Sequence, residues 1–257
     1  MKAIVYRRYG GPEVLEYTDV SEPAPKADQV LIQVRAASVN AADYRLMRAD
    51  PWLARLETGL FKPKKWPILG SDFAGIVAGL GEKVTNFKVG DAVFGDAFLD
   101  GRGSFAEYVC VSEGAICLKP EPMSFEEAAA VPLAGITALQ GLRDFGKAGS
   151  GQRVLIQGAG GGVGLYALQI AKALGAHVTA VCGGKSLELA RQLGADRVIN
   201  YASEDFTRGE ERYDAIIAIN GYHPIADYKR CLSPGGRYVM IGGDNRQIFE
   251  ALLRSKW

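Results

Sequence analysis

Arg153 to Ala176 reads RVLIQGAGGGVGLYALQIAKALGA. Val154, Leu155 and Ile156 form a short apolar run, the pattern of a buried strand. The following GLYALQIAKALG is apolar nearly all round, the pattern of a buried helix. Gly158, Gly160, Gly161, Gly162 and Gly164 crowd the connection. A glycine inside an element costs about 1 kcal/mol relative to alanine. Such crowding belongs where the backbone turns tightly or meets something closely. A strand, a glycine-rich turn and a helix aim several N–H groups and a helix N-terminus at one point, which suits a pyrophosphate. With Gly164 as the last glycine of GxGxxG, Ala159 takes the first place; the phrasing GxxGxxG, through Gly158, Gly161 and Gly164, fits in full. The bland reading is a tight turn with no ligand.

Working outward, strands and helices alternate after residue 121. Short apolar runs predict strands at Arg153–Gln157, His177–Cys182, Arg197–Asn200, Tyr213–Ile219 and Arg237–Ile241. Helical spacing predicts helices at Gly162–Leu174, Ser186–Leu193 and Pro224–Cys231. This alternation implies an α/β fold, a doubly wound parallel sheet covered on both faces. Ser124, followed by Glu126 and Glu127, marks a helix start, and Pro132 should kink or split that helix.

The first part reads differently. VLIQVRAASV (Val30–Val39), FAGIVAGLG (Phe73–Gly81), GDAVFGD and SFAEYVCV are β-branched or alternating, with Gly, Pro and Asp clusters between them. A β-rich, barrel-like domain is expected over residues 1–121, and a nucleotide-binding domain over 122–257. Asn40–Arg48 is the best helix signal in the first part. GLFKPKKWP reads as a basic, solvated loop.

The chain has 257 residues, with 48% hydrophobic and 23% charged, the composition of a globular protein. A net charge of +1 offers no bulk attraction for nucleic acid or an anionic membrane. No apolar run approaches the roughly 20 residues of a membrane span, and the N-terminus lacks a signal-peptide core. Four cysteines without CxxC spacing read as free thiols, with the cytoplasm as the expected location.

The second strand of the nucleotide domain ends in HVTAVCGGKS, with Lys185 in place of the carboxylate that holds an NAD ribose. A cation there attracts a 2′-phosphate, so NADPH is expected over NADH. The other reading leaves Lys185 solvated at a helix start.

The order GGPEVLEY, VNAADYR, PILGSDFAGIV, VGDAVFG, GSFAEY, AAAVPLAGITAL and GAGGGVG resembles the medium-chain dehydrogenase/reductase superfamily. Within it, the chain resembles the zinc-free NADPH:quinone oxidoreductase branch, over its whole length. The resemblance implies a GroES-like β-barrel domain plus a Rossmann domain. It implies NADPH as cofactor, a small-molecule electron acceptor and a possible homodimer. Zinc-dependent members carry Gly-His-Glu where this chain has Gly70, Ser71 and Asp72, and their first cysteine ligand falls near Asn40. No zinc is therefore expected, and Asp72 is read as pairing or capping locally.

The resemblance also suggests site residues. Asn40 and Asp43 match positions near the nicotinamide; apart from the resemblance, Tyr44 is the candidate hydrogen-bond donor to the acceptor oxygen, with Asn40 and Arg45 as weaker ones. Thr137 matches a contact to the nicotinamide end, and Gly158, Gly161, Gly162, Val163 and Gly164 match the pyrophosphate loop. Lys185 and Tyr201 match the 2′-phosphate site, and Asn220 and Gly221 follow the fourth sheet strand. Each has a plainer reading: Asn40 and Asp43 as a helix cap, Thr137 bonded to its own backbone, Tyr44 and Tyr201 as packing. His223 is an outside candidate for proton donor. Family members continue past the position of Trp257 with the last sheet strands and a return to the first domain. The implied reaction is hydride transfer to a quinone or an activated alkene or carbonyl. The alternatives are a cofactor-binding sensor without turnover and an enoyl-thioester reductase.

Overall fold

A computed structural model of the chain describes residues 1–65, 67–243 and 245–254. By backbone contacts the chain divides after Leu133 into two compact units. The first begins with an antiparallel pair, β1 (Lys2–Tyr6) and β2 (Leu15–Asp19). Then come β3 (Gln29–Ala37), α1 (Ala41–Arg48), α2 (Ala54–Thr58), β4 (Asp72–Leu80), β5 (Ala92–Asp96), β6 (Tyr108–Ser112) and β7 (Ile116–Leu118). These five strands form one antiparallel sheet in the order β6-β3-β4-β5-β7. Val30, Ile32, Phe73, Val77, Val93 and Val111 point to one side and are fully buried together. That alternation is what the sequence pattern reports.

Ser124 opens α3 (Phe125–Ala129). Its Oγ accepts from the Glu127 amide at 3.1 Å, and Glu127 Oε2 accepts from the Ser124 amide at 2.8 Å, a reciprocal cap. Ala128 and Ala129 bury against Ala74 of β4. Pro132 does split the helical stretch: α4 (Pro132–Leu139) starts on it, where a missing N–H costs nothing. A π-helical turn, Gln140–Phe145, continues α4.

The second unit alternates as expected: β8 (Arg153–Gln157), α5 (Gly162–Ala173), β9 (His177–Cys182), α6 (Leu187–Gln192), β10 (Arg197–Asn200), β11 (Tyr213–Ile219), α7 (Ile225–Arg230), β12 (Leu232–Ile241) and α8 (Asn245–Arg254). Its sheet is parallel throughout, in the order β10-β9-β8-β11-β12. Strand order reverses between β8 and β11, so the crevice at their carboxyl ends is the ligand position of such sheets. The helix predicted from Ser186 is shorter, because Gly184–Ser186 forms a 3-10 turn ahead of α6. β12 begins five residues before its predicted start: Ser233 to Gly236 stay in the strand through a register shift against Tyr213 and Ala215. β1, β2 and β7 escape the sequence reading; they are short, and β2 is mostly exposed, so neither length nor alternation marks them.

The β8–α5 turn is held by backbone proximity. Gly158 has φ +80°, and a Cβ there would lie 2.5 Å from the Ile219 carbonyl oxygen at the end of β11. A Cβ on Gly164 would lie 2.1 Å from the Gly158 carbonyl oxygen. A Cβ on Gly162 would meet nothing within 4 Å. Gly164→Ala is therefore expected to cost about 2 kcal/mol or more in urea unfolding, because α5 must move off β8. Gly162→Ala should stay within about 0.5 kcal/mol of the parent chain. Equal losses in the two variants would contradict this packing.

Candidate functional site

The turn after β8 opens onto a cavity of about 470 Å³ inside the second unit. Gly158, Gly160 and Gly161 form one side of it, and Cys182 to Ser186 with Tyr201 form the other. The amides of Gly162, Val163 and Gly164, the first turn of α5, have no hydrogen-bond partner among the described residues. Gly161 and Gly162 are exposed, and nothing in the chain requires their missing side chains. Three free donors at a helix N-terminus, beside open glycine backbone, form an arrangement that suits a phosphate.

The other side of the cavity carries a cation. Lys185 is exposed and has no ion-pair partner among the described residues. Tyr201, also exposed, lies over Gly183: a Cβ there would sit 2.8 Å from the Tyr201 hydroxyl. Ser186 is a lining residue the sequence reading missed. It packs on Gly160, where a Cβ would meet Ser186 Oγ at 2.4 Å, and no local pattern marks such a contact. No carboxylate lines the cavity.

Asn220 and Gly221 follow β11 as predicted. Asn220 takes a left-handed conformation (φ +53°), and its amide donates to the Ile241 carbonyl at 3.0 Å. Gly221 is buried against the Tyr228 hydroxyl, which accepts from the amides of Tyr222 and His223 and donates to Gln157 Oε1. His223 sits among Phe206, Tyr222 and Tyr228. Burial pushes its pKa down, and its Nε2 makes no hydrogen bond. Thr137 is half-buried on α4.

In the first unit, Asn40 caps α1 and Asp43 lies in the first turn. Asp43 is buried; its Oδ2 accepts from the Asn40 amide at 2.8 Å and its Oδ1 from the Gly70 amide at 3.1 Å. The Asn40 side chain donates to Asp72 Oδ2 at 2.9 Å and to Ser38 Oγ at 3.2 Å. Asp72 also accepts from Ser38 Oγ and from the Leu133 amide, each at 2.8 Å. Ala37 pairs with Phe73, so the sheet register itself brings Ser38 beside Asp72. Thirty-four residues separate these two in sequence, and only the register reveals their meeting. Tyr44 stands apart, exposed on α1 with Arg48 5.9 Å from its ring centre.

Comparison with known proteins places this geometry. The profile of the alcohol dehydrogenase GroES-like domain matches residues 26–121, and that of the zinc-binding dehydrogenase family matches residues 162–253. A chloroplast envelope quinone oxidoreductase homolog of Arabidopsis thaliana is 34% identical, over 94% of this chain and 74% of that one. The chain belongs to the medium-chain dehydrogenase/reductase superfamily, in its quinone oxidoreductase-like branch. The solved quinone oxidoreductase of Coxiella burnetii superposes with a TM-score of 0.84 at 33% identity, covering 100% of this chain and 86% of that one. The Escherichia coli quinone oxidoreductase complexed with NADPH gives 0.79 at 27% identity, covering 97% and 77%.

Some members of the superfamily use zinc, and the residues here do not fit it. The positions that match zinc ligands hold Asn40 and Ser71. Asn40 spends its amide on Asp72, and Ser71 Oγ accepts from Arg102 Nη1 at 3.1 Å. A guanidinium there opposes a dication. No group of three or more His, Cys, Asp and Glu among the described residues is placed to hold a metal ion.

Burial pushes the Asp72 carboxyl up to about 6, against the hydrogen bonds from Asn40, Leu133 and Ser38. The unfolded value is about 3.9, so the folded state holds this proton more tightly. Its contribution to stability is therefore fully present at low pH and is lost as pH rises from about 4 to about 6. Asp72→Asn removes that dependence. Relative to the variant, the parent chain should lose on the order of 1–3 kcal/mol between about pH 4 and pH 7 in urea titrations. Parallel stability curves would contradict it.

Proposed function

We propose that the chain is a zinc-independent oxidoreductase that uses NADPH to reduce a quinone or an activated alkene or carbonyl. One observation carries the reading: an unpaired lysine faces a glycine-walled cavity that has no carboxylate. The quinone oxidoreductase relatives support it.

When bound, NADPH supplies the hydride. The first turn of α5, with Gly158, Gly161, Gly162, Val163 and Gly164, receives the pyrophosphate. Open backbone at Gly161 and Gly162 lets it come close. Lys185 and the Tyr201 hydroxyl take the 2′-phosphate. Thr137, Asn220 and Gly221 complete the cofactor contacts. An oxygen of the acceptor gains negative charge as it is reduced, so a donor aimed at it lowers the barrier. Tyr44 is assigned that role, as an exposed phenol on α1. Asn40 and Asp43 act as positioning residues, since their polar atoms already hold α1 and the Gly70 turn in place. A small-molecule acceptor is the substrate class; the homodimer and a cytoplasmic location belong to the same proposal.

The purified chain should oxidise NADPH with members of a panel of quinones, enals and enones, and no turnover across the panel would overturn the reading. Lys185→Ala should raise the Kd for NADPH about 10- to 100-fold, the worth of a charged hydrogen bond, with the Kd for NADH little changed. Equal losses for both cofactors would argue against the phosphate contact. Dialysis against a strong chelator should leave the rate unaltered; a loss restored by zinc would contradict the assignment.

A further inference from the structure

Two exposed tyrosines meet at the carboxyl edge of the parallel sheet. Tyr201 follows β10 and lines the cavity; Tyr222 lies in the loop after β11 and is not among the lining residues. Their ring centres are 6.4 Å apart with the planes at 70°, an edge-to-face contact. β9 and β8 lie between β10 and β11 in the sheet, so the two supporting strands stand about 14 Å apart at roughly 4.8 Å per strand. The contact therefore spans two intervening strands. Tyr201 is 56% exposed and Tyr222 54%, so burial alone does not account for it.

Tyr222 is held more firmly than its exposure suggests. Its amide donates to Tyr228 Oη at 3.2 Å, and the amide of His223 donates to the same atom at 3.4 Å. Tyr228 is fully buried, and its hydroxyl donates to Gln157 Oε1 at the end of β8. Gln247 Nε2 donates to the His223 carbonyl at 2.9 Å. The Tyr222 ring lies tilted on the His223 imidazole, with centres 4.3 Å apart. That imidazole meets Phe206 and Tyr228 edge-on, at 5.1 and 5.8 Å. Phe206 and Tyr228 belong to the buried core on this face of the sheet. Both the backbone and the ring of Tyr222 are thus tied to that core.

Tyr201 has fewer ties. Its amide donates to the Cys182 carbonyl at 3.3 Å, and its hydroxyl end lies over the bare backbone of Gly183. The hydroxyl makes no hydrogen bond to any described residue. An exposed phenol loses rotamer freedom when it binds a ligand, and that loss weakens binding. A neighbour that already fixes the ring removes part of the cost. Gly183 on one side and the anchored Tyr222 ring on another confine the Tyr201 phenol to the cavity wall that also carries Lys185.

We propose that Tyr222 is a positioning residue whose ring pre-orders the Tyr201 hydroxyl for the 2′-phosphate, which makes it a determinant of the preference for NADPH over NADH. The proposal rests on the assignment of Lys185 and Tyr201 to that phosphate. The test is calorimetric titration of the full chain and its variants with NADPH and with NADH. Tyr222→Leu keeps an apolar cover over His223 and removes the ring. It should raise the Kd for NADPH about three- to tenfold, the worth of an edge-to-face pair, and leave the Kd for NADH within about twofold. Tyr222→Phe keeps the ring edge and should keep the parent's ratio of the two affinities. In a Tyr201→Phe background, Tyr222→Leu should cost no further NADPH affinity, because the hydroxyl it serves is gone. Equal losses for both cofactors would overturn the proposal and set the Tyr222 ring against the part they share. Losses that add in the double variant would overturn it too. A Tyr222→Leu chain that binds NADPH as the parent does, while Lys185→Ala weakens binding, would end the proposal and leave the phosphate assignment standing. No effect from Lys185→Ala either would remove both.

Discussion

The second unit depends on one close approach of backbone to backbone. Gly158 turns with φ +80° against the Ile219 carbonyl, and Gly164 seats α5 against the Gly158 carbonyl. Neither position has room for a methyl group. These two contacts bring the start of α5 to the carboxyl ends of β8 and β11, where the strand order reverses. The free amides of the first helical turn then lie next to the glycine wall of the cavity, which Gly158, Gly160 and Gly161 form. The remaining glycines divide by purpose. Gly160 yields to Ser186, while Gly161 and Gly162 leave an open wall that the fold itself does not need.

Much of this was legible because its causes are local. Parallel strands buried on both faces read as short apolar runs, so β8 to β11 were placed from sequence within their observed bounds. The Ser124 cap and the break at Pro132 follow from single side chains and one missing N–H. What stayed hidden is non-local. The meeting of Ser38, Asn40 and Asp72 follows from the pairing of Ala37 with Phe73. The contact of Ser186 with Gly160 needs the whole βαβ unit. The loop read as basic also carries two exposed apolar side chains, Leu60 and Phe61, because composition shows charge but not which neighbours fail to cover a leucine.

The first unit shows how a polar cluster that could hold a metal elsewhere is closed off here. Ser71 accepts from a guanidinium, Asn40 donates to Asp72, and Asp43 spends both oxygens on amides. These hydrogen bonds fix the ends of β3, β4 and α1 and the start of α4. The buried carboxylate of Asp72 costs stability once ionised, and its three donors offset part of that cost. The chemistry left to the chain is therefore binding, orientation and hydrogen bonding, with the redox equivalent carried by a cofactor.

In the proposed function the β8–α5 turn and Lys185 together hold an adenine dinucleotide bearing a 2′-phosphate. Calorimetric titration of the full chain with 2′,5′-ADP and, separately, with 5′-ADP reads both contacts without requiring turnover. Both should bind, the 2′-phosphorylated ligand about tenfold or more tightly. Equal affinities, or heat from neither ligand, would contradict it.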